Sequence, residues 1–157
     1  MKRNIIALIT LLMLSLPTAM LAKTFDFDKI TEMEGVTSVH ISKAMFKLIA
    51  GMGIQSDGID LKSVLPKLES LHIITCEKPE VIAILRKEAE IFSTQDGYEE
   101  LMRLKEDDSH TIILHKSHKD KPNEYVLVHD EKDCEFTLIL MKGTLTLEEI
   151  QQMVEQE

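Results

Sequence analysis

The apolar positions of this chain fall into two rhythms. VTSVHIS (36–42) alternates β-branched and polar residues, a period of two that predicts a strand. KAMFKLIAGM then changes to a helical spacing, with Met45, Phe46, Ile49 and Met52 on one side. Ser42 is placed to cap that helix, and Gly51 and Gly53 to end it. GIQSDG reads as a turn. Asp60 follows as the cap of a second helical stretch carrying Leu61, Val64, Leu65 and Leu68, where Pro66 predicts a kink or two short pieces. SLHIITCE (70–77) is the second predicted strand. Pro79 suits the first turn of the next helix, whose stripe is Ile82, Leu85, Ala89 and Phe92. After an interruption at Gln95–Gly97, YEELMRLKE reads as helical again through Tyr98, Leu101 and Met102.

Three further runs return to strand character: SHTIILHK (109–116), EYVLVHD (124–130) and CEFTLILMK (134–142). The short polar connections KDKPN and EKD predict an antiparallel meander. A last helix is marked by Thr146 and Glu149 at capping-box spacing. Leu145 and Ile150 are placed as a staple, and Ile150, Met153 and Val154 give an apolar side. The order is β-α-α-β-α-α-β-β-β-α. Ser38-Val39-His40-Ile41 and Ser70-Leu71-His72-Ile73 each open a strand followed by two helical pieces, a hint of duplication that implies two right-handed crossovers. The predicted fold is α+β: a two-layer sandwich with a mixed five-stranded sheet and helices mainly on one face.

Alternation sorts each strand into two faces. Thr37, Val39 and Ile41, with Leu71, Ile73 and Thr75 and with Cys134, Phe136, Leu138 and Leu140, make the better core set. The opposite set, expected to be open, holds Ser38, His40, His72, Ile74, Thr137, Ile139 and Met141, with Thr111, Ile113 and His115 on the third strand. That face is more apolar than solvation requires, and a contiguous apolar patch marks a partner site. The competing reading packs a helix or the leading segment there.

The N-terminus changes the picture of where this domain works. MKRNIIALITLLMLSLPTAMLA has a basic start at Lys2 and Arg3, an apolar stretch from Ile5 to Leu16, a break at Pro17, and small residues at Ala19 and Ala22. This is the layout of a secretory signal peptide, residues 1–22, leaving one α+β domain over 23–157. The apolar core is short for a membrane span, and no lipoprotein cysteine follows it. A periplasmic or secreted location is expected. Loss of Lys2 and Arg3 takes the net charge from −9 to −11, which argues against nucleic acid and anionic membrane surfaces. Tryptophan is absent, so aromatic platforms for sugars or bases are not expected.

Candidate chemistry is sparse. His115, His118, His129 and Cys134 lie close in sequence. A tight hairpin at 130–133 would set His129 opposite Cys134 and allow His115 nearby, a possible metal set. No paired Cys/His spacing of a structural zinc site accompanies them, and histidines at strand ends need no metal. His40 with His72 is a similar candidate. Cys76 is a candidate thiol nucleophile with nothing adjacent in sequence to lower its pKa. An oxidising compartment permits a Cys76–Cys134 disulfide, yet their assignment to opposite faces predicts free thiols. There is no nucleophile elbow, no zincin motif and no P-loop. Glu99, Glu100, Glu106, Asp107 and Asp108 read as a solvated face.

VTSVHISKAMFKLI, LESLHIITCEK, DGYEELMRLKED and CEFTLILMKGTLTLEEI together resemble an uncharacterised family of small exported bacterial proteins, domain of unknown function 4252. The resemblance covers roughly residues 25–155 and implies a shared export signal and a single domain. It implies no activity, cofactor or catalytic residue. The expected function is therefore a non-enzymatic module that binds an envelope or periplasmic protein or peptide, with envelope signalling as a setting. Its surface would be centred on His40, His72, Ile74, Ile113, Ile139 and Met141. A metal- or small-ligand-binding protein using the surface histidines is the alternative. No cofactor is expected.

Overall fold

A computed structural model describes residues 25–52, 61–132, 134–147 and 149. The expected signal segment 1–22, the expected turn GIQSDG with Gly53, the expected cap Asp60, and Ile150, Met153 and Val154 lie outside the described residues. Among the described residues no helix is long and apolar enough to cross a membrane.

The chain opens with α1 (Phe27–Thr31), whose N-terminus is capped by Asp26 accepting from the Lys29 amide. Strand β1 (Val36–Ser42) runs directly into α2 (Lys43–Gly51). Ser42 sits at the cap position, as expected, but its side chain makes no capping hydrogen bond. Helix α3 (Leu61–Val64) and a 3-10 turn (Leu65–Lys67) are the two short pieces that Pro66 imposes. Strand β2 (Leu68–Cys76), α4 (Pro79–Ala89) and a second 3-10 turn (Thr94–Asp96) follow. Gly97, at φ +86°, supplies the left-handed residue that turns the chain into β3 (Glu99–Lys105). Strands β4 (Ser109–Lys116), β5 (Asn123–Glu131) and β6 (Glu135–Gly143) complete the set.

The α+β class is as expected; the sheet is not. It has six strands in the order β1-β2-β6-β5-β4-β3, and every neighbouring pair is antiparallel. The β4-β5-β6 meander is present, but among the described residues no parallel crossover is. β6 inserts between β2 and β5, and α4 carries the chain from β2, next to one edge, to β3 at the opposite edge. The extra strand is β3, in the stretch read as helical. Its Glu, Leu, Met, Arg and Lys side chains favour helix locally, and pairing with β4 overrides them.

The helices divide between the faces. α1 and α4 lie on one face, where Ile30, Val81, Ile82, Leu85 and Ala89 bury against Ile74, Cys76, Phe136, Leu138, Leu140, Val126 and Leu114. Burial of each large side chain here stabilises the fold by roughly 1.5–3 kcal/mol. On the other face α2, the 61–67 stretch and Leu145 cover only one end. There Phe46, Leu68 and Leu145 pack with Ile41, Leu71 and Met141. Of the predicted α2 stripe only Phe46 is buried; Met45 and Met52 are exposed. Gly143 allows the 61–67 stretch to close on β6, since a Cβ there would stand 2.7 Å from the Lys67 carbonyl oxygen. The capping box is formed: the Thr146 amide donates to Glu149 at 3.0 Å and the Glu149 amide to the Thr146 hydroxyl at 3.3 Å. Glu149 also pairs with Lys67.

Register decides which residues share a face, because directly paired residues point the same way. Ser38 pairs with Ile74 and Ile74 with Leu138; His40 pairs with His72 and His72 with Leu140. The expected core set was therefore correct for Phe136, Leu138 and Leu140 and inverted on β1 and β2. Thr37, Val39, Ile41, Leu71, Ile73 and Thr75 lie opposite α4, while Ser38, His40, His72, Ile74 and Cys76 lie on its side. Both cysteines are free, as expected, with their places exchanged: Cys76 is buried and Cys134 is exposed in the turn before β6.

Candidate functional site

The face away from α4 is organised in three ladders. The middle one is wholly apolar. Val39 pairs with Ile73, Ile73 with Ile139, Ile139 with Leu127, Leu127 with Ile113, and Ile113 with Met102. One side chain from each of the six strands thus stands in a single row. The four inner members are half-buried by their own neighbours, and the end members Val39 and Met102 are 46% and 45% exposed. Among the described residues no element covers this row.

On one flank runs a hydroxyl ladder, Thr37, Thr75, Thr137, His129 and Thr111, closed by Leu104. Thr137 donates to Thr75 at 3.4 Å, and Thr111 and the His129 Nδ1 lie 2.9 Å apart. On the other flank, in the ladder Ile41, Leu71, Met141, Tyr125 and His115, the first three pack with α2, the 61–67 stretch and Leu145, and His115 stacks on Tyr125. Tyr125 donates to the Leu145 carbonyl at 2.8 Å, which fixes that boundary. The middle ladder therefore has a wall on one side and a polar shelf on the other. Such a surface can take apolar side chains along the row and backbone polar groups along the threonines.

The residues expected to form a partner surface are divided by the sheet. Ile113 and Ile139 lie in the middle ladder with Leu127 between them. Met141 shares their face but is packed in the walled flank. Ile74 is 1% exposed and belongs to the core. His40 and His72 stand on the α4 side with ring centroids 4.2 Å apart, and Phe27 lies 4.4 Å from the His72 ring. Burial, then His40 and Lys142, hold the His72 ring below the ordinary imidazole range against the opposing pull of Asp28. Val39 and Ile73 were assigned to the core, Met102 to a helix, and Leu127 to neither face. The meander could have supplied Leu127, since placing its two turns sets that residue between Ile113 and Ile139.

The metal candidates do not converge. His115 is buried and stacks on Tyr125 at 4.8 Å. His129 faces Thr111 and Thr137, not Cys134, because the hairpin pairs Glu131 with Glu135. Among the described residues no group of three or more His, Cys, Asp or Glu side chains is placed to hold a metal.

Two polar clusters lie on the α4 side. Arg86 grips Asp130 through two hydrogen bonds of 2.7 Å at the wall of a cavity of about 500 Å³, which Arg103, Lys105, Glu106 and His110 also line. Near the chain's Lys116, the Tyr98 hydroxyl donates to Glu124 at 2.6 Å, and Lys142 and His118 approach the same carboxylate at 3.3 and 3.4 Å. Burial raises the Glu124 carboxyl, but the Tyr98 hydroxyl, Lys142 and His118 outweigh it and hold the group below the usual range. Burial and Glu124 push the Tyr98 phenol up. Neither cluster pairs a nucleophile with a base. Both read as polar ties of β5, to α4 through Arg86 and to β6 and the residue before β3 through Glu124.

A family model described as a domain of unknown function, DUF4252, matches residues 27–153, and the chain belongs to that family. No curated protein and no solved structure matches it.

Proposed function

We propose that this DUF4252 domain is an exported, non-enzymatic module that binds a protein or peptide partner on the sheet face away from α4. The observation that carries this reading is the unbroken apolar ladder Val39–Ile73–Ile139–Leu127–Ile113–Met102. A contiguous apolar row of this length costs solubility unless something covers it in use. Without residues 1–22 the net charge is −11, against which this apolar row is a distinct feature that a partner could recognise. The basic, apolar and small-residue segments of residues 1–22 support export to the periplasm or beyond. Envelope signalling is one setting such a module would suit.

The test is capture of partners from cell envelope on immobilised protein, comparing wild type with Ile113→Ser/Ile139→Ser. The expected result is one discrete partner that the double variant loses while its circular dichroism stays native. Equal capture by folded wild type and variant would remove the ladder from the account.

A further inference from the structure

The sheet has two edges, and they are built differently. β3 has four charged residues among seven, Glu99, Glu100, Arg103 and Lys105, and a register break between Glu100 and Met102. Charge and a bulge are the usual guards against strand addition. β1, VTSVHIS, has neither: no charged residue, no proline, and seven successive pairs with β2 without a shift. Its residues 37–40 are all exposed. Three more exposed apolar residues follow, Met45 and Leu48 on α2 and Met52 at its C-cap.

We propose that β1 is the seam of a homodimer in which a second copy of this chain adds its own β1 antiparallel, with a twofold axis at Val39. The occupant follows from the sequence of the strand. Centred on Val39, VTSVHIS is self-complementary. Val39 meets its own copy, Thr37 meets Ile41, Ser38 meets His40, and Val36 meets Ser42. β-branched side chains face one another on the ladder side, and Ser38 can donate to the His40 ring on the other. Copies that carry a net charge of −9 repel in most orientations, and this uncharged edge is the approach that brings no like charges directly opposite. Pairing through Val39 joins the two middle ladders end to end, so the proposed binding surface becomes one row across twelve strands.

The test uses the full chain with Cys134→Ser, because the exposed Cys134 thiol would cross-link on its own. Val39→Cys should then give a disulfide-linked dimer on mild oxidation, since residues directly paired across antiparallel strands lie within disulfide reach. Thr37→Cys should not, because its expected neighbour is Ile41 of the second copy. Sedimentation of wild type at on the order of 100 μM should show doubled mass, within the micromolar affinity expected of a small interface. Val39→Lys should return the monomer with unchanged circular dichroism, since Val39 is exposed. Four outcomes would overturn the proposal: monomeric wild type, a dimer that survives Val39→Lys, cross-linking of Thr37→Cys in preference to Val39→Cys, or cross-linking of Val39→Cys to a different protein. The dimer fails independently of the ladder: Ile113→Ser/Ile139→Ser leaves β1 untouched, so loss of partner capture with an intact dimer separates the two.

Discussion

Ile73 and Ile74 are neighbours in sequence, identical in chemistry, and separated by one step of the pleat. Ile74 points toward α4 and is 1% exposed; Ile73 points away and is only partly buried in the middle ladder. The same contrast holds along β6 for Leu138 and Ile139. Both faces are apolar, so hydrophobicity alone does not decide which is core. The helix does. α4 brings Val81, Ile82, Leu85 and Ala89 to one side, and among the described residues the other side receives cover at one end only. The proposed function gives this uncovered apolar face a partner from outside the domain.

The comparison can be broken at its strongest point by Ile74→Ser. This should cost about 4 kcal/mol, from the cavity and the buried hydroxyl, and a denaturant titration should show a domain unfolded or nearly so. Asp130→Ala should come next at about 2–3 kcal/mol. It leaves the Arg86 guanidinium without its bidentate partner beneath the helix, and the partial exposure of Arg86 keeps the loss at the lower end for such pairs. Ile73→Ser should cost less, about 1–2 kcal/mol, because its side chain is only partly buried and the introduced hydroxyl can reach water. If Ile73→Ser proves as damaging as Ile74→Ser, the ladder is core and the contrast between the faces fails.

The smallest effect should appear with acid. The folded state holds His72 below its unfolded pKa, so the unfolded chain binds the proton first and stability falls as pH drops below about 6.5. Glu124 is also held low, so its contribution is present at neutral pH and is lost as pH falls through and below about 4.3. Melting temperatures measured from pH 7.5 to 5.0 should decline, and His72→Gln should flatten that decline. An unchanged slope in the variant would assign the decline to other groups.

Much of the fold was legible, and the misreadings have physical causes. The α4 stripe, the β4-β5-β6 meander, the split at Pro66 and the Thr146–Glu149 capping box all follow from local rules, and local rules hold where the signal is strong. Tyr98, Leu101 and Met102 fit a helical spacing because the register break after Glu100 inserts a residue and destroys the alternation of β3. The inverted faces of β1 and β2 have a different origin. Alternation states that Ile73 and Ile74 part company and cannot state which one meets the helix. That depends on β6 slotting between β2 and β5, a pairing that no short-range pattern records. Hence Ile113 and Ile139 were assigned to the face on which they lie, His40, His72 and Ile74 to the opposite face from theirs, and Leu127 to neither.

The most direct measurement is photocross-linking in cells from a benzoylphenylalanine placed at Leu127, the centre of the ladder. The matched control is the same group at Ile84, which is 43% exposed on α4. The account requires a discrete adduct from position 127 that Ile73→Asp abolishes and that position 84 does not give. Absence of an adduct at 127, or the same adducts from both positions, would contradict the claim that this face is where the domain meets its partner.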